Sequence, residues 1–203
     1  MDISKVTKIV IFSASIKEVN AILYQTNIKF IKNGNIFSTN YKSIYIQIYI
    51  TGIGANTVDF FNHFNIGFNI NNEDNSEILY FKFGTCGVIN GNIPLLNIVS
   101  PNIIYYEDNF IKLNNIYSTN NSLITINKKS DFALDYNFAT FDLIDMEMFF
   151  VVEKIKNVIP ILITTDYNNE KEFFCNLIKA TSILKDFFID LLNGMNSNLE
   201  CKM

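Results

Sequence analysis

Two acidic motifs in the second half of the chain stand next to apolar segments. Residues 145–148 (Asp-Met-Glu-Met) open an apolar run, and Asp166 ends the segment 161–166 (Ile-Leu-Ile-Thr-Thr-Asp). Ligands of α/β proteins bind at the carboxyl ends of the strands, where side chains from several elements meet. A carboxylate at the start of a helix and another at the end of a buried strand can therefore converge on one pocket. Carboxyl groups in such a pocket are suited to general acid–base chemistry.

The elements that must position these acids alternate between strands and helices. Predicted strands cover 8–14, 43–50, 78–83, 97–99, 103–106, 123–127, 141–144 and 160–165. The first predicted helix is capped by Ser15, with Glu18 as its capping-box partner, and further helices cover 55–64, 145–156 and 170–192. A turn is predicted at 51–54 and a polar loop at 65–76, and the strand over 78–83 ends at the segment 84–87. This alternation predicts an α/β fold, a three-layer α/β/α sandwich with a central mixed, twisted sheet, in one domain over 1–203.

Composition narrows the class of protein. The net charge is −4, and all 16 basic residues are lysines, scattered along the chain, which argues against a nucleic-acid partner. Any anion site must therefore use the ammonium group of lysine instead of the arginine fork. No uncharged apolar stretch reaches the roughly 18 residues of a membrane span, and the first residues lack a signal-peptide pattern. We expect a cytoplasmic protein with no membrane partner.

Metal and cofactor chemistry is not indicated. Cys86, Cys175 and Cys201 lack metal-ligand spacing, and the single histidine, His63, lies among phenylalanines. No dinucleotide-binding fingerprint is present. The sequence predicts reduced thiols, no metal site and no cofactor.

Five short segments match, in order and spacing, the motifs of one enzyme group. They are 11–19 (Ile-Phe-Ser-Ala-Ser-Ile-Lys-Glu-Val), 51–54 (Thr-Gly-Ile-Gly), 84–87 (Gly-Thr-Cys-Gly), 145–147 and 165–166 (Thr-Asp). Together they resemble the nucleoside phosphorylase superfamily. The resemblance is closest to its 5′-methylthioadenosine/S-adenosylhomocysteine nucleosidases, including futalosine-type nucleosidases, and it spans nearly the whole chain.

The resemblance implies hydrolysis of the N-glycosidic bond of a purine nucleoside such as 5′-methylthioadenosine or S-adenosylhomocysteine, with release of adenine. It gives Asp166 the protonation of the purine N7 and Glu18 the activation of water. Glu147 would accept hydrogen bonds from the ribose hydroxyls and Met146 would lie against the sugar. Thr85 would help to fix the base or the water.

Further substrate contacts are implied for other positions. Ile53 would line the 5′ side of the pocket, and Phe132 would stack on the base, although a core position for Phe132 is an equally good interpretation. The resemblance also implies a homodimer in which aromatic side chains of a second subunit cover the 5′ group. Tyr105, Tyr106 and Phe110 lie in the matching region, without an assignment to one of them.

Two other functions stay open. A phosphorylase of the same superfamily would use phosphate in place of water, bound by Lys17 and Lys82. A catalytically silent nucleoside binder is the other, favoured by departures from the family pattern at Ser13, Ser15 and Val88. Taken singly, Glu147 fits a helix first turn and Asp166 fits an Asx turn, so their assignment to a site depends on the combination with Glu18.

Overall fold

The computed structural model describes residues 5–63, 77–114, 117–126, 140–155, 157–167 and 169–200. The strands are β1 (Lys8–Ser13), β2 (Ile31–Asn33), β3 (Ile36–Tyr41), β4 (Ile44–Ile50), β5 (Ile78–Val88), β6 (Ile98–Val99), β7 (Pro101–Tyr106), β8 (Asn109–Lys112), β9 (Thr119–Thr125), β10 (Leu143–Asp145) and β11 (Val158–Asp166). The helices are α1 (Asn20–Gln25), α2 (Ala55–His63), α3 (Met148–Lys154) and α4 (Glu170–Glu200).

The strands form one mixed sheet around β5. The order is β2-β3-β4-β1-β5-β10-β9-β7-β8, and β11 pairs with both β5 and the short β6. β1 lies parallel to β4 and β5, and β11 runs parallel to β5 along most of its length, whereas β10 meets the end of β5 in antiparallel fashion. The ends of β1, β5 and β11 therefore lie at the same edge of the sheet.

Helices cover both faces of the sheet. On one face, residues of α1 and α4 such as Ile22, Leu184 and Phe188 pack against Phe81 and Phe83 of β5. On the other face, residues of α2 and α3 pack against a second apolar cluster that contains Val10, Phe12, Leu123 and Leu162. The three-layer α/β/α arrangement predicted from the sequence is confirmed.

The central strand differs from its prediction. We expected a strand over 78–83 that ends at the segment 84–87, a loop by the resemblance, but β5 continues to Val88. Its neighbour β11 pairs with it from Tyr80 as far as Gly87, with a register shift between Thr164 and Asp166, so strand pairing holds the Gly-Thr-Cys-Gly segment extended. The predicted strand end was wrong because glycine weakens a strand without forbidding it.

Helix starts also differ from their predictions. α1 begins at Asn20 instead of directly after Ser15, and no side chain caps it. One half of the predicted capping box is present, since the Ser15 N–H donates to Glu18, but the carboxylate also binds groups outside the helix. α3 begins at Met148, three residues later than predicted. The hairpin β2–β3 and strand β8 were missed, and the predicted loop 65–76 lies outside the described residues.

Candidate active site

Glu18 lies on the turn after β1 and is held by four hydrogen bonds. Its Oε2 accepts from the Ser13 hydroxyl at 3.1 Å and from the Ser15 N–H at 3.2 Å. Its Oε1 accepts from the Thr85 N–H and the Thr85 hydroxyl, each at 3.0 Å. The side chain is only 7% exposed. Because a carboxylate has about four acceptor positions, this group is held in one orientation.

The bond from Thr85 to Glu18 closes a gap in the sheet. β1 pairs with β5 up to Lys82, and β10 pairs with β5 only from Gly87. Between these two stretches the Thr85 N–H has no strand to donate to, and the Glu18 carboxylate takes the place of one. The Glu18 carboxylate therefore lies where the strand paired with β5 changes from β1 to β10.

Lys82 brings a positive charge into the same place. Its side chain is completely buried, and Nζ donates to the neighbouring carbonyl of Phe83 at 3.2 Å. A Cβ atom on Gly84 would lie 2.6 Å from Lys82 Nζ and 3.1 Å from Glu18 Oε1. Because Gly84 has no side chain, the ammonium group of Lys82 and the carboxylate of Glu18 have space to lie near each other.

Glu147 approaches from the start of α3. Its Oε1 accepts from the Gly54 N–H at 3.2 Å, and this amide points inward because Gly54 has a φ of +58° and Gly52 a φ of +89°. The second oxygen of Glu147 has no hydrogen-bond partner among the described residues. Burial raises the pKa of Glu147 to about 8, with Lys82 opposing this shift and Asp145 and Glu18 adding to it.

Asp145 fixes the backbone on which Glu147 is carried. Its Oδ2 accepts from the N–H groups of Glu147 and Met148 at 3.3 and 2.7 Å, and its Oδ1 accepts from the Thr125 hydroxyl at 2.7 Å. The same hydroxyl accepts from the Phe149 N–H at 3.0 Å. Burial raises the pKa of Asp145 to about 6, although Lys82 and these hydrogen bonds lower it. Asp145 acts on the start of the helix, in the manner of an N-terminal cap.

Asp166 ends β11, as the sequence predicted. Its Oδ2 accepts from the Thr165 hydroxyl at 2.9 Å, and its Oδ1 accepts from the Asn169 N–H at 3.1 Å. The second bond is the local turn contact that residue type alone would favour. Gly87 lets the acid lie against β5, since a Cβ there would be 3.3 Å from Asp166 Oδ1.

The electrostatic surroundings of Cys86 show that the charged groups of the site lie near one another. Burial raises the pKa of its thiol well above the ordinary value, and the charges of Asp145, Asp166 and Glu18 raise it further while Lys82 lowers it. The thiol is therefore protonated and lies within electrostatic reach of acids from three elements. The three acids predicted to share a site, Glu18, Glu147 and Asp166, are brought to the same edge of the sheet around β5.

The other predicted site residues occupy varied surroundings. Met146 is half-buried and packs on a small cluster with Ile124, Ile126 and Ile144, and Thr85 is half-buried beside Glu18. Ile53 is 52% exposed and Lys17 is exposed. Tyr105 and Phe110 stack on each other across the β7–β8 hairpin. Phe132 lies outside the described residues, so its predicted stacking role stays a prediction.

Sequence reasoning missed three contributors to the site. Ser13 was noted as a departure from the family pattern, yet its hydroxyl is one of the four donors to Glu18. Asp145 was quoted without a role, and its short spacing to Glu147 was the available signal. Lys82 was given only a conditional phosphate-binding role, although a lone charge inside the apolar segment 78–83 indicates a buried cation in an otherwise hydrophobic strand.

Metal ligands and membrane spans were also sought in the structure. Within the described ranges, no group of three or more His, Cys, Asp or Glu side chains could hold a metal ion. None of the helices in those ranges is long and apolar enough to cross a membrane.

Comparison with known proteins finds the same fold in solved structures of nucleosidases. No protein-family model and no curated protein matches the sequence. Solved structures match over almost the entire chain, and they include 5′-methylthioadenosine/S-adenosylhomocysteine nucleosidases (MTAN) and a futalosine hydrolase. At identities of 14–16% these matches establish a shared α/β fold, and they confirm the predicted resemblance at that level.

Three of these structures illustrate the agreement. MTAN from Chlamydia trachomatis aligns with a TM-score of 0.73 and 16% identity, covering 93% of this chain and 98% of that chain. MTAN from Helicobacter pylori, with butyl-thio-DADMe-Immucillin-A, gives 0.71 and 14%, covering 93% and 99%. Futalosine hydrolase from Helicobacter pylori gives 0.70 and 14%, covering 93% and 98%. A single-substitution variant of the Chlamydia protein has also been solved bound to MTA, and the protein itself bound to adenine.

Proposed function

We propose that this chain is an N-ribosyl hydrolase that cleaves the glycosidic bond of a purine nucleoside of the 5′-methylthioadenosine or S-adenosylhomocysteine type and releases adenine. The observation that carries the proposal is the environment of Glu18. Its carboxylate already binds both donors of Thr85, the groups that an incoming phosphate at this place would need. An anion built into the protein at this position favours water as the nucleophile over a second anion.

The three acids divide the reaction between them. Asp166, at the half-exposed end of β11, donates a proton to the purine N7 as the base leaves. Glu147 accepts hydrogen bonds from the ribose hydroxyls as the sugar gains positive charge, in parallel with hydroxyl contacts in glycoside hydrolysis. Glu18 orients a water molecule and takes its proton on the opposite face of the ribose. The Ser13 hydroxyl, which also lies 3.3 Å from the Ser15 carbonyl, turns to that acceptor and leaves a position on Glu18 for the water. The free oxygen of Glu147 supports this division, because a buried acceptor requires a partner.

Positions at the rim complete the proposed pocket. Met146 lies against the sugar and Ile53, which is 52% exposed, lines the 5′ side. Exposure of an isoleucine at this edge fits a pocket that a second subunit covers, so the proposed active form is a homodimer. Phe132 keeps its proposed stacking role against the purine.

A phosphorylase is the second candidate, and the burial of Lys82 favours it. A fully buried ammonium group beside the site is a suitable partner for phosphate. Lys17 is exposed on the turn that carries Glu18 and could contribute a second positive charge. Against this candidate, Lys82 lies close to a carboxylate that already offsets its charge.

The deciding experiment is adenine release from methylthioadenosine by the purified protein, first in phosphate-free buffer and then with phosphate added. Release without phosphate supports the hydrolase, and release that requires phosphate overturns it in favour of the phosphorylase. S-adenosylhomocysteine, 5′-deoxyadenosine and futalosine are assayed in parallel. Tight nucleoside binding with no release of base under any condition overturns both enzymes and leaves a catalytically silent binder.

A further inference from the structure

We propose that Asn176 of α4 is a positioning residue for the acid of this site. Its side-chain amide donates to the Thr165 carbonyl at 2.8 Å, and this bond stabilises the β-bulge that places Asp166 opposite Gly87. The consequence for catalysis rests on the proposed function, in which Asp166 protonates the leaving base. The structural part, that a helix side chain sets the position of Asp166, does not depend on that function.

An extra residue in β11 decides which side chain lies next to Gly87. Because Thr164 is paired with Cys86, the residue after it would lie opposite Gly87 in an uninterrupted strand. The register shift passes over Thr165 and places Asp166 there instead. Asp166 Oδ1 lies 3.3 Å from the point that a Cβ on Gly87 would occupy. Bulges re-aim side chains next to active sites, and this one sets the position of the carboxyl group.

The bulged residue, Thr165, has hydrogen bonds outside the regular strand pairing. Its side chain is 0% exposed, so its polar groups need partners within the protein. Its hydroxyl lies 3.2 Å from the Cys86 carbonyl and 2.9 Å from Asp166 Oδ2. Its carbonyl accepts from Asn176. Only the NH₂ end of an asparagine side chain can donate to a carbonyl, so this contact also fixes the direction of the amide.

The position of Asn176 on α4 supports the same role. The helix packs on the sheet through the buried side chains of Ala180, Leu184 and Phe188. Asn176 lies one turn before Ala180, on the same face of the helix. An apolar side chain would be expected on such a stripe. The polar residue found there is explained by its bond to the Thr165 carbonyl.

The start of α4 is tied to the same acid. The Asn169 N–H donates to Asp166 Oδ1 at 3.1 Å, and the Asn169 side chain caps the helix by accepting from two N–H groups of its first turn. The helix therefore acts on Asp166 directly through its cap and indirectly through Asn176 and Thr165. A substitution of Asn176 removes the second connection and leaves the first in place.

The first test is the steady-state kinetics of methylthioadenosine cleavage by Asn176→Leu, which keeps the size of the side chain and removes the donor. We expect kcat to fall by roughly 10- to 100-fold with little change in KM, because misplacing a catalytic group by about 1 Å can cost about 10²-fold. Asn193→Leu, at an exposed position of the same helix, is the control and should match the unchanged protein. An unchanged kcat, or a loss expressed only in KM, overturns the proposal.

Combination with Asp166→Asn separates positioning of the acid from a general structural defect. If Asn176 acts through the acid, Asn176→Leu should cause no further loss of kcat in the Asp166→Asn background, because coupled residues are not additive. A structural defect would lower kcat by the same factor in both backgrounds. That result overturns the proposal.

Two further variants keep the test decisive if Asn176→Leu does not fold. Asn176→Gln retains an NH₂ donor, whereas the carboxylate of Asn176→Asp cannot donate to a carbonyl. We expect a clearly smaller loss of kcat in Asn176→Gln than in Asn176→Asp. Equal losses in the two variants, or full activity in Asn176→Asp, overturn the proposal.

A crystal structure of Asn176→Asp provides a measurement that does not depend on activity. The register shift between Thr164 and Asp166 should be lost, or the Asp166 carboxyl group should move away from Gly87. An unchanged bulge with Asp166 still against Gly87 overturns the proposal. If the unchanged protein releases no adenine under any condition, the proposed function fails, while this structure still decides whether Asn176 positions Asp166.

Discussion

Two neighbouring regions of the site hold buried charge in opposite ways. The carboxylate of Glu18 has four protein donors, two of them backbone N–H groups. In the second region, among the described residues, Glu147 accepts one hydrogen bond, from the Gly54 N–H. Lys82 donates one hydrogen bond, to the Phe83 carbonyl. Both regions lie at the same edge of the sheet, and all three side chains are at least nine-tenths buried.

The difference shows which buried polar groups the protein itself supplies with hydrogen-bond partners and which it leaves for a ligand. Glu18 is fixed before anything binds, as expected of a group whose direction matters for a reaction. Within the part of the chain that the structure describes, Glu147 has an acceptor oxygen and Lys82 two N–H donors without protein partners. Buried polar groups of this kind are stable when water or a ligand satisfies them. The first region, around Glu18, is therefore preorganised. The second region, around Glu147 and Lys82, is a binding region whose polar groups can pair with the oxygens of a ligand.

Replacing Asp166 with asparagine should have the largest effect, because it removes the proposed acid while leaving both regions intact. We expect adenine release from methylthioadenosine to fall by about 10³-fold or more, since general acids contribute on the order of 10²–10⁴ and the leaving base needs its proton. The one acceptor oxygen of asparagine can keep the bond from the Asn169 N–H, and the Thr165 hydroxyl, which loses its carboxylate partner, still has the Cys86 carbonyl at 3.2 Å. The melting temperature should therefore change little. Steady-state kinetics and calorimetry measure the two quantities.

Glu172→Gln is the matched control for that variant. Glu172 is an acid near the same strand end, and its Oε2 accepts from the Tyr167 N–H at 2.9 Å. It should retain full activity. Near-normal turnover in Asp166→Asn, or an equal loss in Glu172→Gln, would contradict the assignment of the acid.

Glu18→Gln breaks the preorganised region. An amide can supply only one acceptor oxygen, so the donors of either Ser13 and Ser15 or Thr85 lose their partner, which should cost about 1–3 kcal/mol in the free energy of unfolding. Turnover should fall by roughly 10²-fold while nucleoside binding, measured by titration calorimetry, stays detectable. Ser13→Ala, which removes one donor of the four, should show a smaller loss of stability. Equal loss of binding and turnover in Glu18→Gln would argue against a role in activating water.

Glu147→Gln tests the binding region and should show the opposite pattern. Glutamine has one acceptor oxygen instead of two, so a ribose hydroxyl loses its partner, and binding and turnover should weaken together by roughly 10- to 100-fold, since a buried polar group left without a partner costs about 1–3 kcal/mol. Glu153→Gln, on the exposed side of the same helix, is the control. A fall in turnover without a change in binding would make Glu147 resemble Glu18 and would remove the distinction between the regions.

The sequence predicted the preorganised framework better than the binding region. The apolar segments 8–14 and 160–165 are strands because their continuous β-branched residues are buried on both faces, and Asp166 follows the second strand as expected. Their order was enough to predict that Glu18 and Asp166 end at one edge of a sheet. Strand β8 was missed because it is short and largely exposed, so its pattern carries little hydrophobic signal.

The finer properties of the site depend on contacts that no local pattern contains. Ser13 and Thr85 are far apart in the sequence, and their convergence on Glu18 follows from the parallel pairing of β1 with β5. The burial of Lys82 depends on helices packed from another part of the chain. The segment 84–87, where the predicted strand ended, is strand because β11, much later in the chain, pairs alongside it. Tertiary pairing overrides local preference in such cases.

The last predicted effect concerns how the free energy of unfolding depends on pH through Glu147. The ordinary pKa of a glutamate is 4.5 and that of Glu147 in the folded protein is about 8, so between these values the folded state holds a proton that the unfolded chain has released. Stability then falls as pH rises through this window, by up to about 1.4 kcal/mol per pH unit for one proton. Asp145, with a pKa raised from 3.8 to about 6, has the same sign but acts at lower pH.

Urea unfolding at a series of pH values between about 6 and 8 isolates the contribution of Glu147. Glu147→Gln cannot titrate and resembles the protonated carboxyl group, so its stability should decline less steeply with pH than that of the unchanged protein. The two curves should lie closest at the acidic end and separate as the pH rises. Glu153→Gln should keep the original slope. Parallel curves for the unchanged protein and Glu147→Gln would mean that Glu147 is ionised in the free protein across this range. In that case hydrogen bonds or water inside the binding region already satisfy the Glu147 carboxylate. Glu147 and Glu18 would then differ in which groups satisfy them, and not in how many of their hydrogen bonds are made.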